Sequence, residues 1–233
     1  HQFEHIINAS PDKDGDDSPA ANSPSAEAAV GLLTTLNRAE WAILQPALRL
    51  HNAAALSAIE DALFILCLDG ESPGTSDAWS QQILCGNGHN RWFDKTLQFI
   101  ATPQGKWGVN IDHAPVDGLT VVRLLSEITT TLENRLETVL TAQTTKQPVS
   151  LKSLPPLQSR SPLQLTWDLN ADITSSLVKA EADFTALTSQ LKVKNVCLEG
   201  LGEVLASSHQ IDELEAIIHL ILQLAYFRCH GQV

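Results

Sequence analysis

The sequence predicts an α/β or α+β fold, in which strands and helices interleave along the chain. Stretches whose apolar residues recur every three or four positions alternate along the chain with stretches that have apolar residues at every second position. Hydrophobic residues make up 43% of the 233 residues and charged residues 18%, which is enough apolar material for a core. A chain of this length is enough for one large domain or two small ones, and it contains no internal repeat.

The first third of the chain is predicted to contain a flexible segment and two helices. Residues 9–28 are rich in Ser, Pro, Asp and Ala and are expected to form a loop. Residues 37–48 have a helical pattern, which Pro46 ends or kinks. Residues 52–68 have a stronger helical pattern with one apolar face. A predicted loop and a predicted short helix follow, over 69–77 and 78–85.

The middle of the chain is predicted to form a β-hairpin followed by a long helix. Residues 96–111 contain two strands around the turn sequence TPQG, and apolar residues alternate with small or polar ones in the second strand. Residues 119–140 carry apolar side chains at helical spacing. The sequence DHAPVDG, residues 112–118, therefore lies where a strand ends and a helix begins.

The last third of the chain is predicted to alternate strands and helices after a proline-rich connector, residues 146–162. Strands are predicted over 163–169 and 194–200, and helices over 171–191 and 212–229. Asp212 with Glu215 fits a capping arrangement at the start of the last helix, and Gly231 lies where a C-terminal cap belongs.

Charge and hydropathy narrow the class of protein. The net charge of −12 argues against a general nucleic-acid or anionic-membrane binder, because phosphate contacts need clustered Lys and Arg. No apolar stretch of about 18 residues lacks polar breaks, so no membrane span is expected. The first residues have no apolar signal core. We expect a cytoplasmic location, with an organelle left open.

Cysteines and histidines give no sign of a metal site, and none is expected. No two cysteines form a CxxC pair, which favours buried free thiols over zinc ligands or disulfides. The cysteines are Cys67, Cys85, Cys197 and Cys229. Seven histidines fit no ligand spacing and are interpreted as structural or exposed: His1, His5, His51, His89, His209, His219 and His230.

The motif HxxxDG is the strongest candidate for chemistry. Histidine takes up protons near neutral pH without assistance, so His113 suits a general base at the mouth of a cleft. Asp117 could turn back toward the ring or fix the local backbone, and Gly118 suits a sharp turn into a helix. A lone histidine is more often a satisfied structural residue, but the strand-to-helix position of this motif favours the catalytic interpretation.

Five blocks of sequence, in the right order, resemble the choline/carnitine O-acyltransferase family. They are AVGLLTTLNRAEWA (29–42), AIEDALFILCLDGESP (58–73), NRWFDKTLQFI (90–100), GVNIDHAPVDG (108–118) and LQLAYFRCHG (222–231). The resemblance runs from about residue 29 to the end. The NRWFDK block argues against a condensation-type or plant-type acyltransferase, which also uses HxxxDG.

The resemblance implies an enzyme that moves an acyl group between a thioester and the hydroxyl of a small acceptor, with no tightly bound cofactor. It implies a fold similar to chloramphenicol acetyltransferase: a mixed sheet with flanking helices, one part of a two-domain enzyme. By this match His113 is the general base, and Asp117 orients it or the local backbone. The residues that match a hallmark block are expected to be mainly structural: Asn90, Arg91, Trp92, Asp94 and Lys95.

The same resemblance implies that the chain is one portion of a longer enzyme, and the absence of methionine points the same way. Residues 1–28 would be the end of a strand or helix and a flexible loop, and residues 29–233 a portion of the catalytic domain. A C-terminal domain outside the chain would supply the acceptor contacts and a hydroxyl for the oxyanion. The 233 residues alone are expected to be inactive.

One departure from the family concerns the acyl donor. Glu203 and Ser207 stand where the family has two lysines that meet coenzyme A phosphates, which disfavours a nucleotide with several phosphates. The predicted donor is therefore an acyl-phosphopantetheine thioester on an acyl carrier protein, as in carnitine-acyltransferase-like domains of fungal highly reducing polyketide synthases. The predicted acceptor is a small alcohol or polyol. Acyl-CoA as donor, and a non-catalytic relative that binds a partner, are the alternatives.

Overall fold

The computed structural model describes residues 26–145, 162–197, 199–200 and 214–232. The chain divides into two compact units, His1–Val193 and Lys194–Val233. Its described elements are a 3₁₀ helix (Ala26–Thr35), α1 (Arg38–Asp61), β1 (Ile65–Leu68), α2 (Ser76–Leu84), β2 (Leu97–Ala101), β3 (Trp107–Ile111), α3 (Gly118–Thr145), α4 (Ala171–Gln190) and α5 (Leu214–His230). The loop predicted over 9–28 is wrong at its end, because residues 26–28 belong to the 3₁₀ helix, and its other residues lie outside the described ones. All but the last residue of the connector predicted over 146–162, and also Glu203 and Ser207, lie outside the described residues.

The three strands form one mixed sheet in the order β1-β2-β3. β1 runs parallel to β2, whereas β2 and β3 form the predicted antiparallel hairpin. Gly105 donates its N–H to the carbonyl of Thr102 (3.0 Å) and has a φ of 79°, which glycine adopts without strain. The hairpin turn is therefore confirmed, and helices around a mixed sheet agree with the predicted α/β or α+β class.

The helix predicted over 52–68 is wrong in its last part, because Ile65–Leu68 form β1. One helix, α1, joins the first predicted stretch to the first ten residues of the second, and it contains Pro46 and a non-helical backbone at Asn52 (φ −126°, ψ 28°). In β1, Cys67 pairs with Ile100 of β2. Periodicity does not distinguish a run of four apolar residues in a helix from a short buried strand, and here pairing with a distant strand decides the outcome.

Two predicted strands, over 163–169 and over 194–200, are absent from the described residues. In the first stretch, Trp167 stacks on Trp92 with ring centroids 6.1 Å apart. The Asn52 amide donates to the carbonyl of Asp168 (2.9 Å), and its oxygen accepts from the Asp168 N–H (2.7 Å). This segment is therefore held by the packing of Trp167 and by the two hydrogen bonds between the Asn52 side chain and the Asp168 backbone, rather than by pairing with a strand.

The main hydrophobic core of the first unit is built mainly from the 3₁₀ helix, α1 and α4, together with Trp92 from the segment before β2. Its members are Ala29, Val30, Leu32, Leu33, Leu36, Trp41, Leu48, Leu56, Trp92, Ile173, Leu177 and Ala180. The side chain of Asn37 accepts from the N–H of Glu40 (3.0 Å) and that of Asn170 from the N–H of Ile173 (2.9 Å). These caps explain why α1 and α4 begin close to the predicted positions.

The second unit contains α5, which ends as predicted. Gly231 has a φ of 72°, and its N–H donates to the carbonyl of Phe227 at 2.7 Å. The side chains of the predicted capping pair at the other end, Asp212 and Glu215, lie outside the described ones.

Candidate active site

The turn between β3 and α3 carries His113. β3 ends at Ile111, and the N–H of Asp112 then donates to the carbonyl of Thr96 at 3.1 Å, so that the ladder extends one residue beyond the strand. The Asp112 carboxylate accepts from the N–H of Ala114 at 3.0 Å. This is an Asx turn, with His113 as its middle residue. The predicted position of the motif between a strand and a helix is confirmed.

The His113 side chain is exposed. Its imidazole has no hydrogen bond or ion pair to any residue that the structure describes. Both ring nitrogens therefore remain available to a ligand from solvent, and a neutral imidazole offers one donor and one acceptor. The backbone of the turn, rather than contacts of the ring, fixes the place of this side chain.

Asp117 marks the start of α3. Its carbonyl accepts from the N–H groups of Thr120 (3.1 Å) and Val121 (3.4 Å), so the first helical turn is built on this residue. Within the described part of the chain, no hydrogen bond or ion pair joins the Asp117 carboxylate to His113. These bonds come from the backbone carbonyl of Asp117, so both roles predicted for this residue, orienting His113 or fixing the local backbone, stay predictions.

A buried ion pair between Arg91 and Asp69 lies before β2. The Nη1 and Nη2 atoms of Arg91 each donate to one Asp69 carboxylate oxygen at 2.8 Å, and the side chains are 1% and 6% exposed. The side chains of Asn90 and Gln82 also donate to Asp69. Burial acts to raise the pKa of Asp69, but the hydrogen bonds from Arg91 and Gln82 outweigh it and leave this pKa below its usual value.

Sequence reasoning assigns Arg91 to the hallmark block but does not identify its partner. Asp69 immediately follows β1, and its sequence context indicates only the first residue of a loop. No spacing rule connects two residues in separate loops, so the pair becomes visible only once β1 lies beside β2. The one sequence signal for a role of Asp69 is its position as a polar residue directly after the short apolar run of β1.

Other residues of the hallmark block hold neighbouring elements together. Lys95 donates from Nζ to the carbonyls of Ile59 and Glu60, both at 2.8 Å, at the C-terminal end of α1. Asp94 accepts from Nε1 of Trp41 at 2.9 Å. These contacts support the mainly structural role predicted for the block.

A cavity of about 260 Å³ opens beside the same block. Its lining includes apolar side chains such as Val30 and Trp167, and a polar end formed by His89, Asn90 and Arg91. His89 also contacts Glu181, with 3.0 Å between Nε2 and Oε1. His113 and Asp117 are not part of the lining, so this cavity and the HxxxDG turn are separate features.

The four cysteines are free thiols in two environments. Cys67 and Cys85 are buried, as predicted, and burial raises the pKa of both thiols. Cys197 and Cys229 are exposed, which contradicts the prediction of burial.

Among the described residues, no group of three or more His, Cys, Asp or Glu is placed to hold a metal ion. Within the same residues, no helix is long and apolar enough to cross a membrane.

Comparison with known proteins decides the family. The profile described as Choline/Carnitine o-acyltransferase matches residues 1–233. This chain belongs to the choline/carnitine O-acyltransferase family. The predicted resemblance is confirmed.

Relatives from the choline/carnitine O-acyltransferase family match most of this chain. Carnitine O-acetyltransferase of Columba livia is 32% identical over 214 residues, which cover 87% of this chain and 32% of that protein. Peroxisomal carnitine O-octanoyltransferase of Bos taurus is 30% identical, covering 87% and 32%. Choline O-acetyltransferase of Gallus gallus is 28% identical, covering 88% and 31%. The chain thus spans about a third of the length of these relatives.

Proposed function

We propose that this chain carries the general base of an O-acyltransferase, which moves an acyl group between a thioester and the hydroxyl of a small acceptor. The observation that carries the proposal is the exposed imidazole of His113 in the turn between β3 and α3, without a partner among the described residues. Membership of the choline/carnitine O-acyltransferase family supports it.

The proposed reaction needs one base and no covalent enzyme intermediate. His113 accepts the proton of the acceptor hydroxyl, and the hydroxyl oxygen forms a bond to the thioester carbonyl carbon. The tetrahedral intermediate collapses with cleavage of the carbon–sulfur bond, and the thiolate takes the proton from the imidazolium. The product is an ester and a free thiol, and the base is regenerated.

The proposed acting unit is longer than this chain. Because the chain spans about a third of its relatives, we propose that a further domain completes the site and provides the acceptor contacts. In the proposed arrangement, which is similar to chloramphenicol acetyltransferase, the turn with His113 lies in a tunnel between two domains. An exposed imidazole in the isolated chain is compatible with that arrangement, since the side chain would be covered by the second domain.

For the donor we propose acyl-CoA, and for the acceptor a hydroxyl compound of the carnitine or choline type. The names of the relatives favour this type of acceptor, since they describe acetyl or octanoyl transfer to carnitine and acetyl transfer to choline. Acyl-CoA is the alternative that the sequence leaves open beside the carrier-protein donor.

A second candidate donor is the acyl thioester of a carrier protein. What favours it is the sequence at Glu203 and Ser207, which stand where the resemblance to the family implies two phosphate-binding lysines. Each lost charge-assisted hydrogen bond to a phosphate weakens binding by roughly 1.5–3 kcal/mol. The value of kcat/KM measured with matched acyl-CoA and acyl-carrier thioesters separates the two donors. A higher value with the carrier thioester, narrowed by Glu203→Lys with Ser207→Lys, would select the second candidate.

The general-base role is tested by His113→Ala in the full-length polypeptide that contains these residues. Loss of a general base lowers kcat by about 10²- to 10⁴-fold, while the urea midpoint of unfolding should not change because the ring has no partner in the described structure. His51→Ala is the matched control, since His51 is also exposed but lies on α1, outside the motif. Near-normal turnover by the His113 variant refutes the proposed function of this histidine.

A further inference from the structure

We infer that Asp112, the residue before the histidine, is a positioning residue for His113. The inference rests on the proposed function, in which His113 is the general base. It assigns the task of holding the base to the backbone hydrogen bond of the Asp112 side chain, whereas the motif itself directs attention to Asp117.

Asp112 makes a hydrogen bond on each side of His113, one through its backbone and one through its side chain. Its N–H donates to the carbonyl of Thr96 (3.1 Å), which fixes the turn to the start of β2. Its carboxylate accepts from the N–H of Ala114 (3.0 Å), which fixes the far side of His113. The backbone of His113 is therefore enclosed between two hydrogen bonds of one residue.

Nothing else seen among the described residues performs this task. There, the bond to Ala114 is the one side-chain hydrogen bond made to the backbone of residues 113–117. The imidazole itself has no partner in the same part of the chain, so the direction of the ring depends on the backbone of the turn. Without the Asp112 side chain, the segment from His113 to the first turn of α3 would be tethered only at its ends.

The chemistry of an Asx turn sets which side chains can replace Asp112. Asp and Asn both place an oxygen where it reaches an N–H two residues further on. Glu keeps the charge, but its extra methylene moves the oxygen away from that position, and Ala has no acceptor. Geometry therefore predicts that Asn substitutes for Asp112 and Glu does not, whereas a role for the charge predicts the reverse order.

The expected effect falls on turnover rather than on substrate binding. A misplacement of a catalytic group by about 1 Å can cost roughly 10²-fold in rate. Asp112→Ala and Asp112→Glu are accordingly expected to lower kcat by about 10- to 100-fold with KM within about twofold. Asp112→Asn is expected to remain within about threefold of the unsubstituted protein.

A matched control separates positioning from general loss of stability. The Asn37 side chain accepts from the N–H of Glu40 at 3.0 Å, the same kind of bond and the same length, at the start of α1. Asn37→Ala should lower the urea midpoint about as much as Asp112→Ala does, because each loses one side-chain to backbone bond. It should leave kcat unchanged, because no bond to the His113 turn is lost.

The experiment measures kcat and KM of the full-length protein for these variants and for His113→Ala, together with hydrogen exchange of the Ala114 amide. Support consists of a low kcat and faster Ala114 exchange in Asp112→Ala, with both restored in Asp112→Asn. The inference is overturned if Asp112→Ala keeps normal kcat, if Asp112→Asn is as slow as Asp112→Ala, or if Ala114 exchange does not change. If Asp112→Ala does not fold, Asp112→Asn and Asp112→Glu decide in the same way. Normal turnover by His113→Ala instead refutes the proposed function, and the inference with it.

Discussion

Removing the charge of Asp69 should strongly destabilise the first unit. Asp69→Asn keeps the size of the side chain and one acceptor oxygen, but it places an amide N–H₂ opposite one of the two Arg91 donors. The Arg91 side chain is 1% exposed, so the guanidinium would keep its charge with little solvent to replace the lost partner. Its Nε already lacks a hydrogen bond within the described structure.

The size of the effect follows from the contacts of the carboxylate. Four side-chain donors reach Asp69, and two of them belong to a fully charged group. Hydrogen bonds to charged groups are worth about 1.5–3 kcal/mol each, against about 0.5–1.5 kcal/mol for neutral ones. Removing one member of a buried ion pair typically costs about 3–5 kcal/mol, because the other charge stays buried. We expect a loss of unfolding free energy in that range.

Urea unfolding followed by tryptophan fluorescence measures the change, since Trp92 follows Arg91 directly. Lys179→Gln is the control, because the Lys179–Glu40 pair is exposed and its loss should barely move the unfolding midpoint. The double variant Asp69→Leu with Arg91→Met removes both charges and should recover part of the loss. A decrease below about 1 kcal/mol for Asp69→Asn would refute the account of this pair as a buried, structurally required contact.

The contribution of Asp69 should also depend on pH in a defined direction. Its pKa is lower in the folded protein than in the unfolded chain, so the unfolded state takes up this proton first as the pH falls. The stabilisation is complete well above about pH 4, where the carboxylate is ionised in both states. It is lost progressively below about pH 4, down through the folded pKa. The difference in unfolding free energy between the unsubstituted protein and Asp69→Asn should therefore become smaller below about pH 4. A difference that becomes larger as the pH falls would contradict the lowered pKa of Asp69.

Two further predictions concern packing and capping. A Cβ at Gly31 would lie 2.0 Å from the carbonyl oxygen of Arg91, whereas one at Gly74 would meet nothing within 4 Å. Gly31→Ala should thus lower the unfolding free energy by at least about 1–3 kcal/mol and Gly74→Ala by almost nothing, in the same urea assay. Lys95→Met should cost more than the roughly 1.5–3 kcal/mol of a single charge-assisted bond, because it removes two such bonds to α1. Lys106→Met removes a bond to one carbonyl and should cost less, and equal losses would contradict this reasoning.

Elements with strong local signals are predictable from sequence. The hairpin has alternating strands around a glycine turn, and α3 carries a long helical repeat, so the predicted bounds of both agree with the structure to within a few residues. α1 and α4 begin after asparagine caps that the sequence displays. The spacing of the HxxxDG motif and its neighbours is enough to predict that His113 lies between a strand and a helix. In each case the deciding interaction lies within a few residues along the chain.

Features that depend on distant contacts are not predictable in this way. β1 is a strand because its four residues pair with β2, and the sequence ILCL by itself suits a helix end equally well. The stretch 163–169 alternates like a strand, yet its partners are the Trp92 ring and the Asn52 amide. The Asx turn is different, because it depends on a local signal that sequence reasoning could have used. An Asp at a strand end, such as Asp112, often accepts a hydrogen bond from the backbone N–H two residues later, here that of Ala114.

The hallmark block and the histidine turn meet at one backbone group. Lys95 is anchored to the end of α1 by two carbonyls, and the next residue, Thr96, offers the carbonyl that receives the N–H of Asp112. The path from α1 to His113 therefore runs through two hydrogen bonds of Lys95, the peptide unit between Lys95 and Thr96, and one hydrogen bond from Asp112 to Thr96. Structural residues of the block can in this way set the position of His113, the proposed base, through the backbone. Because one hydrogen bond joins Asp112 to Thr96 and one joins its carboxylate to Ala114, the position of His113 depends on these two contacts.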